Sequence, residues 1–98
     1  MSSSRKALVR NAYNKIKSGD CATLDDLARH YDPAAHPDVL SGAEPAESHY
    51  KHYLSLWDAK KPTDQITYAQ FEDFYFAISA AVPDDASFTR LLKAEWHI

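Results

Sequence analysis

The sequence contains one cysteine and only two glycines among its 98 residues. The lone cysteine, Cys21, cannot form an internal disulfide, and a reducing compartment is the simplest interpretation of that usage. Two glycines are too few for a fold that depends on many tight β-turns. These two shortages together predict an intracellular, all-α protein.

Long apolar runs and a strong charge of one sign are also missing. No stretch approaches the length of a membrane-spanning helix, and the N-terminus lacks the apolar run of a signal peptide. The formal net charge is −3, which gives no footprint for nucleic acid, so the basic spots at 5–10 and 59–61 are read as solvated faces. We therefore expect a cytoplasmic protein with neither a nucleic-acid nor a membrane partner.

No catalytic pattern stands out in the sequence. There is no nucleophile paired with a base and no glycine-rich phosphate loop, and the five histidines show no zinc-ligand spacing. The adjacent acid pairs at 25–26 and 84–85 stand at predicted helix starts, where carboxylates favour the helix dipole. We expect the protein to be no enzyme and to carry no cofactor.

What the sequence does have is a set of apolar stripes at helical spacing. Residues 32–45 hold three prolines and one glycine, which predicts an ordered linker with one short turn. A cap at Thr23 predicts a short helix to about Tyr31. The stripes themselves are Val9, Ala12, Tyr13 and Ile16; Tyr50, Tyr53, Leu54 and Trp57; Phe71, Phe74, Tyr75 and Ile78; and Phe88, Leu91 and Leu92 after a cap at Asp84 or Asp85.

The stripes predict one domain over residues 1–98, because chains divide into domains only at larger sizes. Two helix-loop-helix units are followed by a C-terminal helix, and the first residues are expected to be flexible. The predicted ranges are 1–5 for the flexible end, 6–31 for the first unit, 32–45 for the linker, 46–80 for the second unit and 84–96 for the C-terminal helix.

The second unit has the outline of a calcium-binding EF-hand. A working EF-hand loop has twelve residues, with oxygen ligands at alternating positions, a glycine at the sixth and a bidentate glutamate at the twelfth. Here Asp58 to Gln70 is thirteen residues. Lys60 and Lys61 offer no acceptor, Asp64 replaces the glycine, and Gln70 gives a neutral oxygen where a carboxylate is required. We expect no calcium in this loop.

The first unit departs from the EF-hand pattern in the other direction. Its apolar positions place Lys17 at the first ligand position and Asp26 at the last, and this loop is ten residues long. A short ring that starts with an ammonium group cannot surround a cation that takes six to eight oxygens. Ala22 and Ile66 should nevertheless pair in a short antiparallel bridge between the loops. The vestigial loop positions are Asp20, Asp26, Asp58 and Asp64.

From about residue 8 to the end, the chain resembles the C-terminal EF-hand pair of calcyphosin-type proteins. That family has an "SGDG"-type loop, then "T-x-D-D-L", a short helix, a tyrosine and a linker resembling "H-P-x-V-x-S-G". The resemblance implies a paired EF-hand fold and, from several family members, a cilium or flagellum as the location. The family's calcium activity is not carried over, because both loops depart from its pattern. The matching residues are Ser18, Gly19, Asp20, Thr23, Asp25, Asp26, Leu27, Tyr31, His36, Pro37, Val39, Ser41 and Gly42, then Thr67, Phe71, Tyr75, Ser79, Ala80, Asp85, Phe88 and Trp96.

The aromatic stripes are first of all core positions of such a pair. They are more numerous than a core of this size requires, and Phe76 falls off the main stripe. This surplus predicts a groove for an amphipathic helix or a scaffold surface. Alternatively, the C-terminal helix fills the groove from inside. The candidate partner-binding residues are Trp57, Phe74, Tyr75, Phe76, Leu92 and Trp96.

Two functions are therefore open. The first is a calcium-independent EF-hand-fold interaction module, a small adaptor or structural subunit of a larger intracellular assembly such as an axoneme or cytoskeletal array. The alternative is a calcium sensor or buffer with irregular loops, for which calcium would be the only cofactor. A calcium titration distinguishes them.

Overall fold

The computed structural model describes residues 1–34, 36–57 and 59–98. This part of the chain forms six helices and one two-stranded sheet, so the all-α prediction is confirmed. No helix in the described ranges has the length and apolar character needed to cross a membrane. In chain order the elements are α1 (Ser3–Ile16), β1 (Ala22–Thr23), α2 (Leu24–His30), α3 (Pro37–Leu40), α4 (Ala46–Ser55), β2 (Gln65–Ile66), α5 (Tyr68–Ala81) and α6 (Asp85–Trp96).

The helices that leave the two loops begin in the same way. Thr23 caps α2 and Thr67 caps α5, each by accepting a hydrogen bond from the backbone N–H three residues on. The residues at those positions, Asp26 and Gln70, return a side-chain oxygen to the backbone N–H of the capping threonine. This reciprocal arrangement satisfies donors that a helix start otherwise leaves free. It fixes both loop ends by local chemistry.

The two loops meet in the short antiparallel sheet that the sequence predicts. Ala22 lies opposite Ile66 and Thr23 lies opposite Gln65, which confirms the expected register. A hydroxyl from α1 joins both strands: Tyr13 Oη donates to the Ile66 carbonyl at 2.6 Å and accepts from the Ala22 N–H at 2.9 Å. The bridge between the loops is therefore tied to the first helix by one buried side chain.

The N-terminal end of α1 is held against the far end of the chain. The structure begins this helix within the segment 1–5, where flexibility was expected, and Ser2 caps it. Arg5 is buried and its guanidinium bonds Asp85 Oδ1 at 2.6 Å and both the carbonyl and the hydroxyl of Ser79. A cation at the last carbonyls of a helix is stabilising there. Arg5 thus links α1 to the end of α5 and the start of α6.

The core lies between α1, α5 and α6, with α2 and α4 closing one side. Helix α6 is part of this core, because its apolar residues Phe88, Leu92 and Trp96 are fully buried. On the other side, the rings of Tyr31 and Tyr53 stack with centroids 3.7 Å apart. Burial of large aromatic side chains contributes most per residue to such a core. The architecture is a paired EF-hand with an added C-terminal helix.

Candidate functional site

The first loop uses its one buried carboxylate internally. Asp26 is 1% exposed, and its Oδ2 accepts from the Ser18 N–H at 3.2 Å, the Ser18 hydroxyl at 2.9 Å and the Thr23 N–H at 3.0 Å. Its Oδ1 accepts from Arg29 at 3.2 Å. Burial opposes ionisation, but these donors outweigh it and lower the pKa of Asp26. Both carboxylate oxygens of Asp26 therefore accept hydrogen bonds from donors of the chain itself.

Asp20, the other vestigial acid of the first loop, is exposed to solvent. It does not converge with Asp26, and Lys17 stands half-buried at the start of the loop. One satisfied carboxylate and an ammonium group do not form a cage of six to eight oxygens.

The second loop also turns its acid inward to its own backbone. Asp64 Oδ2 accepts from the N–H groups of Lys60 and Lys61 at 2.9 and 3.0 Å, and these two bonds lower the pKa of its carboxyl group. Two carbonyls of the same loop, those of Pro62 and Asp64, accept from the N–H groups of Asp25 and Leu24. The second loop therefore caps the first turn of α2 with oxygens from its backbone.

The closing position of the second loop behaves in the same way. Gln70 Oε1 accepts from the Thr67 N–H at 2.8 Å, so this oxygen belongs to the helix cap. Asp58, the predicted first position of the loop, lies outside the described residues. Among the residues that are described, no three histidine, cysteine, aspartate or glutamate side chains converge in an arrangement that could hold a metal ion.

A groove of about 870 Å³ opens between α4 and α5. Rows of side chains along α4 and α5 form its two walls. Helix α6 and the linker segment contribute further lining residues. The described lining residues are His49, His52 and Tyr53 from α4 with its C-cap Leu56; Phe74, Ala77, Ile78 and Ala81 from α5; Ser87, Leu91 and Glu95 from α6; Tyr31, which follows α2; Val82, which follows α5; and His36, Asp38 and Glu44 from the linker segment.

The predicted partner-binding residues fall in three different places. Phe74 lines the groove and stacks on Trp57, with ring centroids 4.4 Å apart, while Trp57 itself is buried behind it. Tyr75, Leu92 and Trp96 are 0% exposed and belong to the core, which fits the alternative that the C-terminal helix fills the pair from inside.

Phe76 is 57% exposed but is not among the residues that line the groove. The expected grouping of Phe74 with Phe76 on one surface does not hold. Residues two apart on an α-helix point about 200° away from each other, so these two rings lie on nearly opposite faces of α5.

A buried polar network, which the sequence did not reveal, lies behind the groove. Glu95 is 3% exposed, and its two oxygens accept from the hydroxyls of Tyr31 at 3.1 Å and Tyr75 at 2.9 Å. The Tyr75 hydroxyl also accepts from Trp96 Nε1 at 2.8 Å and lies 3.0 Å from the Tyr53 hydroxyl. All of these groups are satisfied, so the network fixes one packing of α4, α5 and α6.

Burial dominates the ionisation of this network. Removal from water raises the pKa of Glu95 to about 7, although its hydrogen bonds from Tyr75 and Tyr31 act in the opposite direction. The pKa values of Tyr31, Tyr53 and Tyr75 are also raised by burial and by the neighbouring Glu95. One signal in the sequence could have found Glu95: it continues the stripe of Phe88, Leu91 and Leu92, so it falls on the inward face of α6.

The fold and the two loops define a class: an EF-hand-like, all-α protein. No family model matches the chain. Among curated proteins, it is similar to crustacean calcium-binding protein 23 from Faxonius limosus, with 27% identity over 99 residues. The matched region covers 98% of this chain and 49% of that protein, so the chain spans about half the length of the curated relative. This similarity agrees with an EF-hand-like calcium-binding family and does not single out the calcyphosin type.

Proposed function

We propose that this chain is a calcium-independent EF-hand-fold interaction module, an adaptor or structural subunit that receives a protein partner in the groove between α4 and α5. The observation that supports it best is the use of the loop oxygens. Those of Asp26, Asp64 and Gln70 accept hydrogen bonds from the chain's own donors.

In the proposed function, contacts within the chain fix the arrangement of the paired helices in place of a cation. In calcium sensors the ion sets the angle between paired helices and opens an apolar groove. Here the loops are joined through the Tyr13 hydroxyl, and α6 packs its apolar face into the core. The walls of the groove are mostly apolar. An arrangement of this kind suits a constitutive contact.

A calcium-binding sensor or buffer is the second candidate, and the comparison with known proteins favours it. The curated relative is by its name a calcium-binding protein. This chain matches about half of that protein, so the relative's name does not say whether calcium binds within the matched half. The two candidates differ in one respect that can be measured, the dependence of partner binding on calcium.

The resemblance to calcyphosin-type proteins adds a location to the proposal, a cilium or flagellum. Imaging of the tagged chain in a ciliated cell tests it. Signal along the axoneme is the expected result, and a signal spread evenly through the cell body contradicts this part of the proposal.

A matched pair of variants tests the interaction role. Ala77→Glu places a charge on an exposed position of the groove wall, and Ala80→Glu places the same charge on an exposed position of α5 outside the groove. Crosslinking with mass spectrometry should show partners lost with Ala77→Glu and kept with Ala80→Glu, equally in calcium and in a chelator. Partners that leave when calcium is chelated would support the second candidate instead.

A further inference from the structure

The shape of the groove fits a helix. One wall is formed by positions i, i+3, i+4 and i+7 counted from His49, which run along α4 to its C-cap. The other wall has the same spacing along α5, counted from Phe74. Each stripe runs for two turns, or about 10 Å along the helix axis. A helix that docks with its apolar face down presents side chains at the same spacing. The geometry therefore favours a short helical segment over a strand or an extended peptide.

Three acids line the groove, Asp38, Glu44 and Glu95, and none of the described lining residues is a lysine or arginine. Glu44 lies 3.3 Å from His49 and Asp38 lies 4.0 Å from His36, whereas Glu95 has no such partner among the described ion pairs. Histidines at the linker end and on α4 are the remaining titratable bases in the lining. A partner helix with a basic group complements this surface, because opposite potentials across an interface set its specificity.

Glu95 is the buried acid in the lining of the groove. Both of its oxygens are held by tyrosine hydroxyls, which fix their positions but bring no positive charge. None of the ion pairs among the described residues involves Glu95. Each carboxylate oxygen can accept a second hydrogen bond. A buried carboxylate without a counter-charge is unfavourable, and an incoming cation would relieve that cost.

We infer that Glu95 is the counter-charge for one lysine or arginine side chain, carried within the apolar stripe of a partner helix that lies in the groove. The inference rests on the proposed interaction function and names the chemistry of the partner. Tyr31 and Tyr75 act as positioning residues, because their hydroxyls hold the carboxylate in place.

Other ionisable groups face Glu95, and the experiment has to distinguish their effect on binding from that of Glu95. Its own backbone carbonyl accepts from the Asp32 N–H at 2.9 Å, so the linker is also packed against this turn of α6. Histidines change charge near neutral pH and would repel a lysine when protonated. The facing groups are Tyr31 after α2; Asp32, His36, Asp38 and Glu44 in the linker segment; His49, His52 and Tyr53 on α4; and Tyr75 on α5.

The test uses synthetic helical peptides with a leucine stripe in which one position holds lysine, moved through the stripe from peptide to peptide. Each has a matched peptide with norleucine, which has the same four-carbon side chain without the ammonium group. Burial alone predicts tighter binding of norleucine. With the wild-type chain near neutral pH, at least one lysine peptide should instead bind about tenfold tighter than its match. With Glu95→Gln, that preference should disappear while the norleucine peptides still bind.

A second measurement uses the wild-type chain alone, in case the variant folds poorly. If Glu95 takes the lysine as a counter-charge, binding at about pH 7 releases a proton from it, and calorimetry in buffers of different ionisation enthalpy detects that release. Norleucine peptides should release none. Tighter binding of norleucine at every position, or binding of lysine without proton release, overturns the role of Glu95. Failure of every peptide to bind overturns the helix-docking geometry. Neither result changes the calcium titration, which tests the proposed function separately.

Discussion

The two loops end in the same cap but differ in what their acids are used for. Thr23 with Asp26 and Thr67 with Gln70 form equivalent reciprocal caps. In the first loop the acid is almost fully buried and also accepts from Ser18 and Arg29. In the second loop the neutral Gln70 is exposed and serves the cap alone. At both predicted closing positions, a side-chain oxygen accepts a hydrogen bond from the N–H of the capping threonine.

This difference follows from the burial of the two positions. A buried position keeps the charge only because several N–H and O–H donors satisfy it. An exposed position needs only one acceptor, so a neutral amide suffices. The backbone of the second loop then caps α2, with the Pro62 and Asp64 carbonyls accepting from its first N–H groups. Under the proposed function, these hydrogen bonds hold the loops in the positions that a cation would fix in a calcium sensor.

The largest expected effect is that of Asp26→Ala. It leaves the N–H groups of Ser18 and Thr23 without their acceptor in a partly buried site, removes a buried carboxylate, and should destabilise the protein by about 3 kcal/mol. The matched variant Gln70→Ala removes the equivalent cap from an exposed site and should cost about 1 kcal/mol. Urea unfolding of both variants measures the difference. Equal losses would break the distinction between the two loops.

Tyr13→Phe should come next, because it removes the one hydroxyl that serves both strands. The Ala22 N–H and the Ile66 carbonyl lose a partner in a buried site, which should cost about 2 kcal/mol. Tyr68→Phe is the control, since its hydroxyl donates to Glu72 on the same helix and is not part of the bridge between the strands. Thermal unfolding of both variants measures the effect, and a loss as large for the control would remove Tyr13 from its proposed place.

The two buried acids should respond to pH in opposite directions. Asp26 has a pKa below 3.8, so the stability it contributes is present above that value and is lost as pH falls through its lowered folded pKa. Glu95 has a pKa raised from 4.5 to about 7, so the folded state holds its proton more tightly, and stability falls as pH rises through that window. The loss is on the order of 3 kcal/mol.

Unfolding of wild-type and Glu95→Gln chains across this pH range tests the second half of that prediction. The wild-type stability should decline between about pH 5 and pH 7, and the variant should be flatter over the same interval. Parallel curves would mean that Glu95 keeps an ordinary pKa in the folded protein.

The smallest expected effect is that of Gln70→Glu, which restores the carboxylate at the closing position of the second loop. The cap can form with either side chain, so stability should change by less than about 0.5 kcal/mol. Calcium binding should not appear, because Asp64 already accepts from Lys60 and Lys61. A calcium-dependent rise in the unfolding temperature of this variant would show that the second loop needs only one more ligand.

Local pattern was enough to predict the helices and the strand register. The spacing of apolar residues located α1, α4, α5 and α6, and loop counting placed Ala22 opposite Ile66, as the structure confirms. The groove could be expected from the number of aromatic residues, but its position could not. A count of aromatic residues takes no account of the rotation of about 100° per residue along an α-helix. That rotation places Phe76 on the face of α5 away from Phe74.

The buried polar groups were beyond local pattern. The hydroxyl of Tyr13 meets a carbonyl 53 residues away, and Glu95 meets Tyr31 across 64 residues. Periodicity gives the face on which a side chain lies but not the group that it meets. The inward position of Glu95 was therefore readable, whereas its two phenol partners and its raised pKa depended on how α2, α5 and α6 pack together.

Calcium titration of the unmodified chain by isothermal calorimetry tests the central claim most directly. If the loop oxygens are committed to protein donors, no isotherm tighter than about 1 mM should appear. The fluorescence of Trp57 and Trp96, both buried beside the helices that an ion would move, should stay unchanged. A micromolar isotherm with a change in that fluorescence would contradict the account and make the chain a calcium sensor or buffer.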